Sequence, residues 1–303
     1  MRTTHNGDIT IAYETFGSPD GAPLLLIAGT GVQMLIWPED LCAALVERGF
    51  HVARFDNRDM GLSTHLSGTT APGWLKVMLR PSCAPYRLDD MAADALAVID
   101  ALGWTSAHVV GASLGGMVAQ ALAIGYPSRV KSLTSIMSTP SSRIATMPTM
   151  AVMRALAQEA GAPVTNEEEA AEAAVALKRA MGSPGYPVDE ELVRDIARGS
   201  YQRHPGNEDD GARQRAAVIA SGTRRKKLRD LHVPSLVLHG TDDPVIRPKG
   251  GRATAQAIPG AKLVTYPGMG HDLPRALWPA MLDEISALTG VAKPVNTMAG
   301  KRG

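Results

Sequence analysis

Net charge is almost absent from this chain of 303 residues, in which 31 lysines and arginines face 30 aspartates and glutamates. So close a balance removes the global field that would draw a protein to nucleic acid or to an anionic membrane, and it points to a small, mostly neutral ligand. Cysteine is scarce too. Cys42 and Cys83 stand far apart without metal-ligand spacing, so both read as buried or idle thiols in a reducing compartment rather than as a disulfide or a zinc site. No apolar run approaches the ~20 residues of a membrane span, and the polar stretch Met1 to Asp8 does not resemble the start of a secretory leader. A soluble, cytoplasmic protein with no stable membrane insertion is expected. Internal repeats, ligand clusters and phosphate-cradling motifs are also missing, so the expected cofactors and metals are none.

What is present alternates. The length suits one large α/β domain carrying an insertion, or two modest domains. Ile9 to Phe16, Pro23 to Ala28 and His51 to Phe55 read as strands, with a helical pattern from Leu41 to Gly49 between the last two. Arg87 to Leu102 has helical spacing with Asp89 and Asp90 in its first turn, and Ala107 to Val110 is again strand-like. The alternation resumes with strands at Ser235 to Gly240 and Lys262 to Tyr266, and helices at Gly251 to Ala257 and Pro279 to Leu288. Strand followed by helix, repeated, predicts a parallel sheet. The stretch between is alanine- and methionine-rich with helical patterns, an acidic patch at Glu167 to Glu169 and a loop at Met181 to Pro187. It reads as a helical lid. The division expected is therefore a core of 1–138 and 231–290, split by a lid of 139–230 and followed by a mobile tail of 291–303.

The chemistry is concentrated at Gly111-Ala112-Ser113-Leu114-Gly115, where an apolar strand ends and a helical pattern, Met117 to Ile124, follows at once. Small residues two before and two after leave room for a tight turn that pushes the serine hydroxyl out of the sheet, the arrangement of a nucleophile. A serine hydroxyl is weak at neutral pH and needs a base within reach, with a carboxylate to fix the tautomer of that base. Leu238-His239-Gly240-Thr241-Asp242-Asp243-Pro244 supplies two acids after a core strand, and Asp243 is preferred because Pro244 fixes the turn after it. Asp242 is left to hold the loop. His271, ending the glycine-rich turn from Tyr266, is the expected base; His239 is its rival, with a packed core role as the ordinary reading. An oxyanion needs two donors. The Leu114 N–H is one, and the loop Gly29-Thr30-Gly31 offers the other, Thr30 being preferred to Gly29.

Other residues are less specific. Gly29, Trp37, Met147, Met150 and Tyr186 are candidates to line the substrate pocket, methionine being a pliant filler. Asp56 and Arg58 read as a pair that fixes a loop beside the site. Trp74 to Leu79, apolar and mildly basic, reads as a helix folded over the core, contact with lipid or ligand being the alternative.

With these parts in order the chain resembles the α/β-hydrolase superfamily over nearly its whole length, and within it actinobacterial carboxylesterases related to aclacinomycin methylesterase. The segments that carry the likeness are Leu25 to Pro38, Arg54 to Ser63, Val109 to Gln120, His239 to Pro244 and Pro267 to Pro274. The resemblance implies a mostly parallel eight-stranded sheet flanked by helices with an inserted helical cap, a triad of Ser113, Asp243 and His271, and an oxyanion hole from the Thr30 and Leu114 amides. Three positions depart from the family pattern: Ala28-Gly29 replaces the frequent His-Gly, Arg58-Asp59 replaces the usual Arg-Gly, and Asp242 duplicates the acid. The implied activity is hydrolysis of a small-molecule carboxylic ester through an acyl-enzyme. Thioesters, lactones, carbon–carbon bonds and peroxide interception use the same residues, and a non-catalytic receptor of the same fold is the rival from another class. Oligomeric state is left open, a homodimer included.

Overall fold

The structure, a computed structural model, describes residues 1–141, 149, 150, 152, 154 and 164–291. Strands β1 (Arg2–Asn6), β2 (Ile9–Phe16), β3 (Ala22–Ile27), β4 (Phe50–Phe55), β5 (Ala107–Ala112), β6 (Val130–Ile136), β7 (Ser235–Gly240) and β8 (Lys262–Tyr266) make one eight-stranded sheet, ordered β1-β2-β4-β3-β5-β6-β7-β8. β1 and β4 each run antiparallel to β2, and the remaining pairs are parallel.

Both faces of the central strands are covered, as a parallel sheet requires. Along β3, Leu24 and Leu26 point into one apolar layer and Leu25 and Ile27 into the other, the two-residue period of a pleated strand. The first layer packs against α1 (Glu39–Val46) and α10 (Trp278–Thr289), the second against α3 (Leu88–Ala101) and α4 (Leu114–Gly125). Each leucine so buried contributes roughly 1.5–3 kcal/mol. Cys42 lies in the first layer, and burial pushes its thiol up to about 12, so it is no nucleophile.

Between β6 and β7 the chain forms α5 (Glu167–Met181), α6 (Glu190–Arg203), α7 (Glu208–Ser221) and α8 (Arg225–Leu228). Asn166, Asp189 and Asn207 cap the first three through side-chain oxygens that accept backbone N–H bonds. α9 (Lys249–Ala257) follows β7.

Two elements differ from expectation. The helix α2 (Trp74–Leu79) forms but does not fold over the core, because Val77 is its one buried side chain. Asp56 and Arg58 do not pair with each other. Arg58 forms a two-pronged bond to Asp94 of α3, at 2.6 and 2.7 Å, while Asp56 receives Arg203 of α6. Each charge is buried, so each takes a partner that reaches it from a different packed helix.

Candidate active site

Ser113 stands between β5 and α4 with φ +56° and ψ −117°, a left-handed backbone that turns strand into helix in one residue. So sharp an elbow needs close backbone approach. A Cβ on Gly111 would fall 2.1 Å from the Gly115 carbonyl oxygen, and one on Gly115 would fall 2.1 Å from that of Ile27. Only glycine fits at either place. The Ser113 N–H donates to Ile136 O at 2.9 Å and Ser138 Oγ donates to Ser113 O at 2.7 Å, so the end of β6 and the residues just after it hold the strained residue.

His271, on the loop after β8, places Nε2 3.0 Å from Ser113 Oγ and Nδ1 2.8 Å from Asp243 Oδ2. Asp243 is buried and accepts only, so Nδ1 carries the proton and the Nε2 lone pair faces the serine hydroxyl. The other carboxylate oxygen, Oδ1, accepts the N–H groups of Val245 and Ile246, each at 2.9 Å. That turn leaves one oxygen for histidine. Asp242 lies outside the chain of bonds; its Oδ2 accepts Gly268 N–H at 3.0 Å and so ties the two loops together. His239 is fully buried, and its Nε2 faces Ile246 O at 2.7 Å; burial lowers its pKa, and it lies behind Asp243 as a packed core histidine.

The loop after β3 runs beside the serine, since a Cβ on Gly29 would stand 3.6 Å from Ser113 Cβ. Two amide side chains hold it: Asn57 Nδ2 donates to Ala28 O at 3.0 Å, and Gln214 Oε1 of α7 accepts Gly31 N–H at 2.9 Å. Gly31 being engaged, Gly29 and Thr30 are left as the amides able to face an oxyanion from this loop, opposite the Leu114 N–H in the first turn of α4.

The insertion reaches the loop that carries His271 at several points. His271 N–H donates to Met181 O at 2.8 Å, Gly185 N–H to Gly268 O at 2.9 Å, and Gly270 N–H to Ser183 Oγ at 2.9 Å, while the Ser183 hydroxyl donates to Asp272. Lys178 of α5 lies 3.5 Å from the other Asp272 oxygen. Ser183 and Asp272 carried no sequence signal, because their meeting joins residues remote along the chain. On the opposite side Arg213 of α7 binds Asp59 through both prongs, at 3.0 and 2.8 Å, and Tyr86 Oη donates to the same carboxylate at 2.7 Å. Asp59 has φ +66°, where the family's glycine would be unstrained; its side chain offsets the strain by anchoring the insertion.

Of the expected pocket residues, Gly29 borders Ser113, whereas Trp37 is buried in the layer beneath the sheet. Tyr186 Oη donates to Pro267 O at 3.1 Å, Met150 projects into solvent, and Met147 lies outside the described residues. His65, His204 and Asp210 also gather, their ligand atoms within 4.8 Å of one another. The two rings stack at 3.9 Å, so their lone pairs run side by side rather than to a common point, and His65 is already bonded to Asp210 and Gly61. The group reads as a polar joint between core and insertion. A hollow of about 590 Å³ lined by Ile124, Val130, Leu231 and Pro234, with Lys227, Asp230 and His232 at its polar side, sits at the amino ends of β6 and β7, away from Ser113.

The family model described as the alpha/beta hydrolase fold matches residues 22–274. Rhodomycin D methylesterase DnrP of Streptomyces peucetius is 31% identical over 96% of this chain and 98% of its own. Among solved structures, the enol-lactonase of Burkholderia xenovorans superposes with a TM-score of 0.71 at 25% identity, covering 95% of this chain and all, 100%, of that one. The esterase RhEst1 of a Rhodococcus species reaches 0.74 at 21% identity over 96% and 98%, a likeness of fold. Sheet order, nucleophile elbow and sequence likeness along nearly the full length agree: the chain belongs to the α/β-hydrolase family.

Proposed function

We propose that this protein is a carboxylic-ester hydrolase that works through a covalent acyl-enzyme. The observation that carries the reading is the unbroken line from Ser113 Oγ through His271 to the buried Asp243, at 3.0 and 2.8 Å, in a chain so similar to a methylesterase. His271 Nε2 takes the hydroxyl proton as Ser113 Oγ bonds to the ester carbonyl carbon, and the Leu114 and Thr30 N–H groups hold the oxyanion. The C–O bond to the alcohol breaks, and the alcohol leaves with the proton from His271. Water then attacks the acyl-serine by the same proton route and restores the hydroxyl.

The insertion of 139–230, whose described helices are α5 to α8, acts as a cap over this centre, and the substrate is a small-molecule ester. A lactone, being an internal ester, enters the same cycle, and product analysis tells the two apart. Cys42 and Cys83 are both free thiols, which fits a cytoplasmic setting.

Initial rates on p-nitrophenyl esters from acetate to palmitate test the reading beside Ser113→Ala. The variant is expected to keep its fold by circular dichroism and to lose turnover by about 10⁴-fold or more. Undiminished hydrolysis in that variant overturns the mechanism.

A further inference from the structure

The helix α2 presents to solvent what most proteins hide. Trp74 is 65% and Leu79 78% exposed, Leu75 and Met78 are exposed beside them, and Val77 alone is inserted, against Ala216 and Ala220 of α7. Trp74, Leu75 and Leu79 border an open groove of about 540 Å³ whose charged lining is Lys76 and Arg80. From Met60 to Leu88 the sequence contains no acidic residue, and among the described residues neither Lys76 nor Arg80 has an ion-pair partner. Large apolar side chains grouped with unpaired cations mark a surface that meets something.

We propose that this face adsorbs to an anionic lipid surface, with Trp74, Leu75, Met78 and Leu79 entering the headgroup layer and Lys76 and Arg80 meeting lipid phosphates. Charge favours this occupant. A two-fold contact with a second copy would set the same cations against themselves, whereas an anionic bilayer supplies the missing counter-charge. Tryptophan suits the boundary because its ring is apolar and its N–H polar. The depth is that of a short amphipathic face lying on the membrane, not crossing it, in keeping with the absence of any membrane-spanning helix among the described residues. The α7 helix beneath also carries Gln214, which holds Gly31, so the adsorbing face lies one helix away from the loop beside Ser113.

Vesicle binding by the intact protein tests this without reference to the triad. Trp37, Trp104 and Trp278 are buried, so a change in tryptophan emission reports Trp74. With vesicles of equimolar phosphatidylcholine and phosphatidylglycerol we expect a blue shift and co-sedimentation, with little of either on phosphatidylcholine alone. Lys76→Glu/Arg80→Glu is expected to weaken partitioning by roughly thirtyfold or more, since each substitution reverses a charge and does not merely remove it. Trp74→Ser/Leu79→Ser is expected to abolish it, both variants retaining the wild-type thermal transition. Absence of a shift on anionic vesicles, or equal binding by the charge-reversed variant, overturns the proposal. A dimer in size-exclusion chromatography that Trp74→Ser/Leu79→Ser converts to monomer, with no vesicle binding by either, overturns it in favour of a second copy of this chain.

Discussion

A single carboxylate oxygen decides which of two adjacent aspartates serves His271. Asp243 spends Oδ1 on the N–H groups of Val245 and Ile246 and keeps Oδ2 for the histidine, whereas Asp242 is exposed and bonded to the Gly268 amide. Replacing Asp243 with Asn puts an amide where an acceptor is needed, which favours the wrong tautomer of His271. The expected loss in kcat is about 10⁴-fold for Asp243→Asn, against a change within about threefold for Asp242→Asn. A change within about threefold for Asp243→Asn, measured beside Asp242→Asn on one p-nitrophenyl ester, would remove Asp243 from the mechanism. Much of this was legible in the chain itself. Pro244 marked the turn, and the glycine-rich approach to His271 marked the histidine that meets Ser113 and Asp243. Asn57 and Gln214 were not legible, because an amide side chain that steadies a loop has no spacing rule, and Gln214 reaches Gly31 from a distant helix.

Among the elements, visibility followed the pattern of apolar residues rather than burial. The apolar runs of β3, β4, β5 and β7 announced themselves, as did the half-buried β2 and β8, while β6 did not, although it lies inside the sheet and is buried along nearly its whole length. Its polar side chains are masked by pairing: Ser132 Oγ meets His108 Nδ1 at 2.8 Å and Ser135 Oγ accepts from Gln120 at 3.2 Å. Strand β1, polar and at the edge, carried no apolar pattern for the opposite reason. The insertion was readable as helical, but its contacts with the loop of His271 were not. Ser183 is the plainest case, accepting from Gly270 N–H while donating to Asp272, directly beside His271. Ser183→Ala leaves a buried amide and a buried carboxylate without that partner, a loss of about 1–3 kcal/mol in unfolding free energy. As a positioning residue it should lower kcat by about tenfold with KM little changed, and Ser183→Thr should recover most of the rate. A fall in melting temperature with kcat intact would make Ser183 a structural link alone.

At the scale of the whole molecule, a nearly neutral chain carries several histidines that the fold keeps uncharged. Burial lowers the pKa of His51, His108, His204 and His239, with His108 brought down to about 4 by its place in β5 and by nearby Lys131. An unfolded histidine titrates near 6.5. Between those two values the unfolded chain binds a proton at His108 that the native protein refuses, so unfolding takes up protons and stability falls as the solution is acidified. Above about pH 6.5 the penalty vanishes; at and below about pH 4 it is fully developed, on the order of 2–3 kcal/mol for His108 alone. Acid also protonates paired carboxylates, so the decisive comparison is with His108→Gln, which removes the titrating group while keeping a polar side chain near Ser132. Urea unfolding at pH 7.5, 5.5 and 4.5 should show the wild type losing more stability on acidification than the variant, even if the variant starts lower. Parallel pH slopes for the two proteins would mean that His108 accepts its proton without unfolding, and that the β5–β6 interior yields to charge more readily than its packing implies.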